Sequence, residues 1–349
     1  MKKTNSIYLY KIIFTFIVAL CHYPILYRHI YNHGGVYGLY VVVDAFFMIS
    51  GYLLYKNIDR YKERYDSAWK YTLNKYKQMW PKYIATFIMT FIVICYVEEI
   101  RGFGILKKLY DSFFEIILLQ AIGLNREWDY INPPTWYISV IIIVGYVMFY
   151  MLSKLRDVFV RFIAPICLVI GFSYIYRNVG SMDAVKDTFG VYGNTPLIRG
   201  FCDMCLGMYA VKVNEFLQDK IKKTWILKLF ANVLLVITLV SGAFSEQTSN
   251  DFAFIGILFI IIAIGFVPRK RFAIDGFIEK FSSLTLNIYL LHEVFRTYIM
   301  PQCFGMPEDL KTEIVYTLIY LALIIVSAII MELVWKGYKK LAKRGVEKQ

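Results

Sequence analysis

The sequence has no stretch long and polar enough to make a second globular domain, so residues 1–349 are expected to form one integral unit. Its six cysteines fall mostly within apolar segments and show no metal-ligand spacing, which argues against a zinc site or a disulfide scaffold and leaves them as small core side chains. No metal and no permanently bound cofactor is expected. No internal repeat or low-complexity tract is visible, so the inverted-repeat clue to a transporter is missing. The first apolar segment lacks a small-residue cleavage site and is too long for a signal-peptide core, so it is expected to be retained.

What the chain has in abundance is apolar length. It is 58% hydrophobic and 18% aromatic, with a mean hydropathy of +0.51, against an apolar share of about 45–50% in soluble domains. Windows of about 20 apolar residues fit spans at roughly 7–25, 36–55, 83–98, 136–153, 160–176, 199–216, 229–245, 252–268, 284–300 and 313–335. The expected fold class is therefore all-α, a polytopic membrane helical bundle with about ten transmembrane helices. The shorter run SFFEIILLQAIGL, residues 112–124, reads as interfacial or re-entrant. Trp128, Trp136 and many of the tyrosines read first as interfacial belts.

Charge sets the orientation. With ten spans, about 28 of the 39 Lys and Arg residues collect on one side and about eight on the other. Both termini are then expected in the cytoplasm, beside an anionic leaflet that accounts for the net charge of +13 without nucleic acid. A cell membrane is the expected location.

Ionisable side chains within spans cost roughly 2.5–3.5 kcal/mol on insertion scales and mark functional candidates. The first span carries Lys11 and His22, eleven positions apart, which returns to nearly the same helix face about 16 Å further on. Pro24 is expected to kink or end that helix beside the imidazole. The second span carries Asp44. Thr285, Tyr289, His292 and Arg296 recur at i, i+4, i+7 and i+11 as one polar stripe, which either lines a substrate cavity or makes interhelical hydrogen bonds. Arg199 and Asp203, at i and i+4, are expected to pair on one helix, with Gly200 and Gly207 allowing close packing nearby. His29 and His33 have no ligand spacing.

Six blocks in order resemble the acyltransferase-3 family of integral-membrane O-acyltransferases. They are the Lys11/His22 pair, VVVDAFFMISGYLL, KYKQMWPKY, PTWYISVIIIVGY, RGFCDMCLGMYA and LTLNIYLLHEVF. The family's first basic residue is usually arginine and is Lys11 in this chain; its two juxtamembrane arginines correspond to Lys75 and Gln78, with Lys77 nearby. The resemblance implies about ten spans and transfer of an acyl group, commonly acetyl, from cytoplasmic acyl-CoA to a hydroxyl on a cell-surface polysaccharide or other glycan. Together with the lack of a targeting segment, it implies a bacterial plasma membrane.

That chemistry assigns roles. A neutral histidine is the side chain suited to deprotonating a hydroxyl near pH 7, so His22 is the expected catalytic base, or alternatively a nucleophile that carries the acyl group. Asp44 is expected to orient it, as the acid does in catalytic triads, or else to pair with Lys11 or another buried cation. The resemblance assigns coenzyme A to Lys11, Lys75 and Lys77, while Tyr289, His292, Arg296 and Trp136 are the candidate substrate contacts. Two non-enzymatic readings stand beside this one. A transporter of an anionic or sugar substrate would use the same buried charges for binding, and a scaffold in glycan assembly would tolerate loss of His22.

Overall fold

The computed structural model describes residues 3–23, 37–123, 130–183, 188–189, 193–245 and 250–346. Pro24, His29, His33 and Trp128 lie outside the described residues. Among the described residues the strands are four two-residue pieces, paired antiparallel as Lys3–Thr4 with Arg269–Lys270 and Thr188–Phe189 with Gly193–Asn194. Nearly everything else is helix, as a chain in lipid requires, because a helix satisfies its backbone groups within itself.

The ten longest helices among the described residues are α1 (Ile7–His22), α2 (Val42–Lys56), α3 (Ala68–Val97), α4 (Trp136–Lys154), α5 (Ala164–Asn178), α6 (Thr195–Lys220), α7 (Thr224–Phe244), α8 (Asp251–Gly265), α9 (Thr285–Val294) and α10 (Leu310–Val346). Among the described residues, six helical stretches are long and apolar enough to cross a membrane: Gly38–Lys56, Ala68–Val97, Pro133–Lys154, Arg156–Asn178, Thr224–Phe244 and Leu310–Lys340. α1 and α8 are shorter apolar helices. α9 runs on through a π-helical turn, Phe295–Ile299, into the short helix Met300–Phe304. The protein is thus an all-α, multi-pass membrane bundle.

One end of the bundle, the terminal face, gathers the polar helix ends. Lys56 meets Glu215 at 2.7 Å and Arg156 meets Asp59 at 3.1 Å. Lys228 donates to the carbonyls of Ile264 and Gly265, at 2.5 and 3.3 Å, and so satisfies the C-terminal end of α8. Asp275 accepts two hydrogen bonds from Arg269, which hold its carboxyl below the usual carboxylate range.

α2 and α6 make the closest helix contact. Lipid is as apolar as leucine, so membrane helices associate through backbone approach and packing, and small residues permit it. A Cβ on Gly51 would lie 2.0 Å from the Met204 carbonyl oxygen, and one on Gly207 would lie 1.9 Å from that of Met48. The two glycines are reciprocal. Gly200, by contrast, faces the side chains of Val140 and Phe47.

Among the described residues of the 112–124 run, 112–123 do not form a spanning helix. The longest described helix between α3 and α4 is Phe103–Asp111, nine residues, against the ~20 needed to cross. Beyond it the chain folds back on itself, with Leu118 at φ 57°. Glu115 is buried, and its carboxylate accepts the backbone N–H groups of Ile131 and Asn132, both at 2.8 Å. Its carbonyl accepts Tyr83 Oη at 2.8 Å, and that of Ile116 accepts Trp80 Nε1 at 3.0 Å. Tyr83 is about 21 Å along α3 from Val97, so this irregular backbone is wedged deep among helices, where protein groups satisfy it in place of water.

Candidate functional site

A cavity of about 410 Å³ extends inward from the terminal face, within the size range of small-molecule sites, about 300–1,000 Å³. Its mouth is lined by Asn57, Arg60 and Tyr61, just beyond α2, and by Tyr71 and Lys75 of α3. The Lys75 ammonium stands 5.7 Å from the Tyr61 ring centre and 5.8 Å from that of Tyr71, a setting in which ring faces attract a cation. Deeper in, α1 contributes Lys11 and Thr15, and α9 contributes Thr285 and Tyr289.

Two histidines stand behind that inner end. The ring centres of Tyr289 and His292 are 5.5 Å apart, and those of His292 and His22 are 5.2 Å apart at an interplanar angle of 68°. His22 Nδ1 lies 3.0 Å from the Val18 carbonyl oxygen. A carbonyl only accepts, so Nδ1 carries the hydrogen and Nε2 keeps its lone pair. His292 is set the same way, with Nδ1 on the Tyr289 carbonyl. Its Nε2 is buried and has no partner among the described residues.

α1 ends at His22, where the carbonyls of the last turn lack intrahelical partners. Arg296 supplies one, donating from Nη1 to the His22 carbonyl at 2.6 Å and from Nη2 to Glu293 Oε1 at 2.8 Å. Thr297 also donates to that oxygen, at 2.9 Å. Glu293 Oε2 and Arg296 Nε, both buried, have no partner among the described residues.

A second ionic site occupies the α2–α6 interface. Arg199 donates from Nε to Asp44 Oδ1 at 2.6 Å and from Nη2 to Oδ2 at 2.8 Å. The two side chains are 1% and 0% exposed. The guanidinium lies 5.5 Å from the Tyr40 ring centre and 5.6 Å from that of Trp136. Tyr40 donates in turn to Asp251, which also accepts the Met182 N–H at 2.9 Å.

The structure therefore redistributes the expected site residues. Lys11, Lys75 and Tyr289 line the cavity; His22 and His292 form the pair behind it. The expectation that Asp44 holds the His22 imidazole is corrected: both Asp44 oxygens are taken by Arg199, and a backbone carbonyl fixes the ring. The expected Arg199–Asp203 pair is corrected by the same bond, because the close glycine contact brings Asp44 within reach of Arg199 across the interface. Both oxygens of Asp203 are left without a partner among the described residues. Trp136 packs on Arg199 and, at 5.8 Å, on Phe47, and does not line the cavity. Lys77 is exposed and follows Lys75 by about 200° around α3, which turns it away from the mouth.

Sequence reasoning passed over Arg60 and Glu293. Arg60 sits in a lysine-rich segment that reads as lipid-facing. Glu293 had a usable signal, a carboxylate inside an apolar span, but it falls about 100° off the stripe through Tyr289 and His292.

A sequence model of a family described as an acyltransferase domain matches residues 5–333, nearly the whole chain. No curated protein and no solved structure matches.

Proposed function

The chain belongs to the acyltransferase-3 family and is a membrane acyltransferase, and from that premise we propose that it moves an acyl group, acetyl in the simplest case, from acyl-CoA to a hydroxyl of a cell-surface polysaccharide or other glycan. The observation that carries this reading is the cavity itself: a basic, aromatic mouth at the terminal face, a lysine midway, and two histidines behind its inner end whose Nδ1 atoms are held by backbone carbonyls, leaving the lone pair on Nε2. The terminal face would be cytoplasmic, in a bacterial plasma membrane, and would receive the donor. Arg60, Lys75 and Lys11 are charges suited to phosphate groups, while Thr285 and Tyr289 flank the path of the acyl-bearing arm.

In the proposed reaction His22 Nε2 takes the proton of the acceptor hydroxyl as its oxygen bonds to the thioester carbon. The carbon–sulfur bond breaks, and the departing thiolate takes the proton from the imidazolium to leave free coenzyme A. The Asp44–Arg199 pair and Trp136 brace the helices around this path.

Coenzyme A release from acetyl-CoA by protein in nanodiscs, with candidate glycans as acceptors, tests the reading. Acceptor-dependent release that vanishes in His22→Ala, while acetyl-CoA binding persists, supports it. Equal release by wild type and His22→Ala overturns the role of His22, and no release by folded wild type with any donor or acceptor overturns the acyl-CoA reaction.

A further inference from the structure

The proposed base must become an imidazolium in an apolar setting, and Asp44 is committed to Arg199. Counter-charge has to come from elsewhere. Among the described residues, the charged and titratable groups facing His22 include His292, Glu293 and Arg296 on α9 and its π-turn. Tyr320 comes from α10, donating to the carbonyls of Ala19 and His292 at 3.2 and 3.4 Å, and its ring stacks on Tyr23, with centres 4.4 Å apart. Tyr23 is within electrostatic reach of Glu313.

Among the described residues that interact directly with His22, one is acidic. Glu293 is 4% exposed, and its interactions reach Arg296, His22 and His292. Oε1 is occupied by Arg296 and Thr297, whereas Oε2 is buried without a partner among the described residues. An unsatisfied buried carboxylate oxygen is costly in a resting protein. It becomes favourable if a positive charge appears beside it during turnover. Arg296 ties the parts together, since one guanidinium holds both the His22 carbonyl and the Glu293 carboxylate.

Resting on the acyl-transfer reading above, we propose that Glu293 is the positioning residue of that reaction: through Arg296 it fixes the end of α1, and its free oxygen offsets the charge of the His22 imidazolium. Without it, the imidazolium would form beside Arg296 alone. A lone neighbouring cation disfavours protonation, so the base weakens and its acid limb moves to lower pH.

The test is coenzyme A release by purified protein in nanodiscs, with pH profiles of kcat and kcat/KM for wild type, Glu293→Gln and Glu293→Asp. Glu293→Gln is expected to lose about 100-fold in kcat, the lower end for an acid–base contribution, with little change in KM for the donor and an acid limb displaced to lower pH. Glu293→Asp, which keeps the charge, restores the wild-type limb and most of the rate. Wild-type kinetics and profile in Glu293→Gln overturn the inference, as does a Glu293→Asp limb displaced despite the retained charge. The Glu293→Asp profile still decides if Glu293→Gln fails to fold. A folded wild type that releases no coenzyme A speaks against the reaction itself, a separate outcome from either variant result.

Discussion

Two of the arginine–carboxylate pairs, Asp44–Arg199 and Glu293–Arg296, are finished to different degrees. Asp44–Arg199 is bidentate, joins two helices across a glycine contact and is closed to solvent; both carboxylate oxygens are used, and Arg199 Nη1 has no partner among the described residues. Glu293–Arg296 is monodentate, joins residues three apart on α9, leaves one atom of each partner unused, and has an arginine side chain 31% exposed. The closed pair has the form of a structural clamp. The open one keeps an unused carboxylate oxygen beside two histidines, and a spare acceptor in a buried site is what a reacting cation can use.

The largest expected effect breaks the closed pair. Asp44→Asn leaves Arg199 charged and unpaired, a change that costs about 3–5 kcal/mol, read as a lower unfolding midpoint in detergent or bicelles. Adding Arg199→Met to it should recover part of the loss; a double variant as unstable as the single one would deny that the lone charge is the cause. Next, Gly207→Ala places a Cβ against the Met48 carbonyl and should cost about 1–3 kcal/mol by overpacking. A neutral result by the same melts would mean that the clamp does not depend on glycine-close approach. The smallest effects sharpen the open side. Lys75→Gln should raise the donor KM by about two- to fivefold, a partly exposed charge contact being worth up to about 1 kcal/mol. Lys77→Gln on the same helix should leave it unchanged, and equal shifts would show that the mouth reads overall charge rather than one helix face.

The sequence made the bundle legible because the bilayer imposes a single rule on backbone polar groups, and apolar length follows from it. It also marked Lys11 and His22, since charge in a span is conspicuous. Pairing was less legible. Asp44 is 155 positions from Arg199, and helical spacing compares only residues on one helix, so Asp203 at i+4 looked like the natural partner. Glu293 was hidden for a related reason: it adjoins His292 in sequence but reaches His22 through Arg296, a contact made between helices. The tautomer of His22 depends on a local backbone carbonyl, to which composition and periodicity are blind.

The wedge between α3 and α4 has a consequence for how the protein is made. Its nine-residue helix and broken turns cannot partition into lipid on their own, because their backbone groups would be bare until Glu115, Trp80 and Tyr83 find their partners. Asn132, at the end of the same stretch, donates to the Leu290 carbonyl of α9 at 2.9 Å, so its anchor is synthesised some 158 residues later. The wedge's anchors through Trp80, Tyr83 and Glu115 lie within residues 80–132 and are available as soon as it is made, so the bond to α9 is the contact that can only be completed once the later helices are in place.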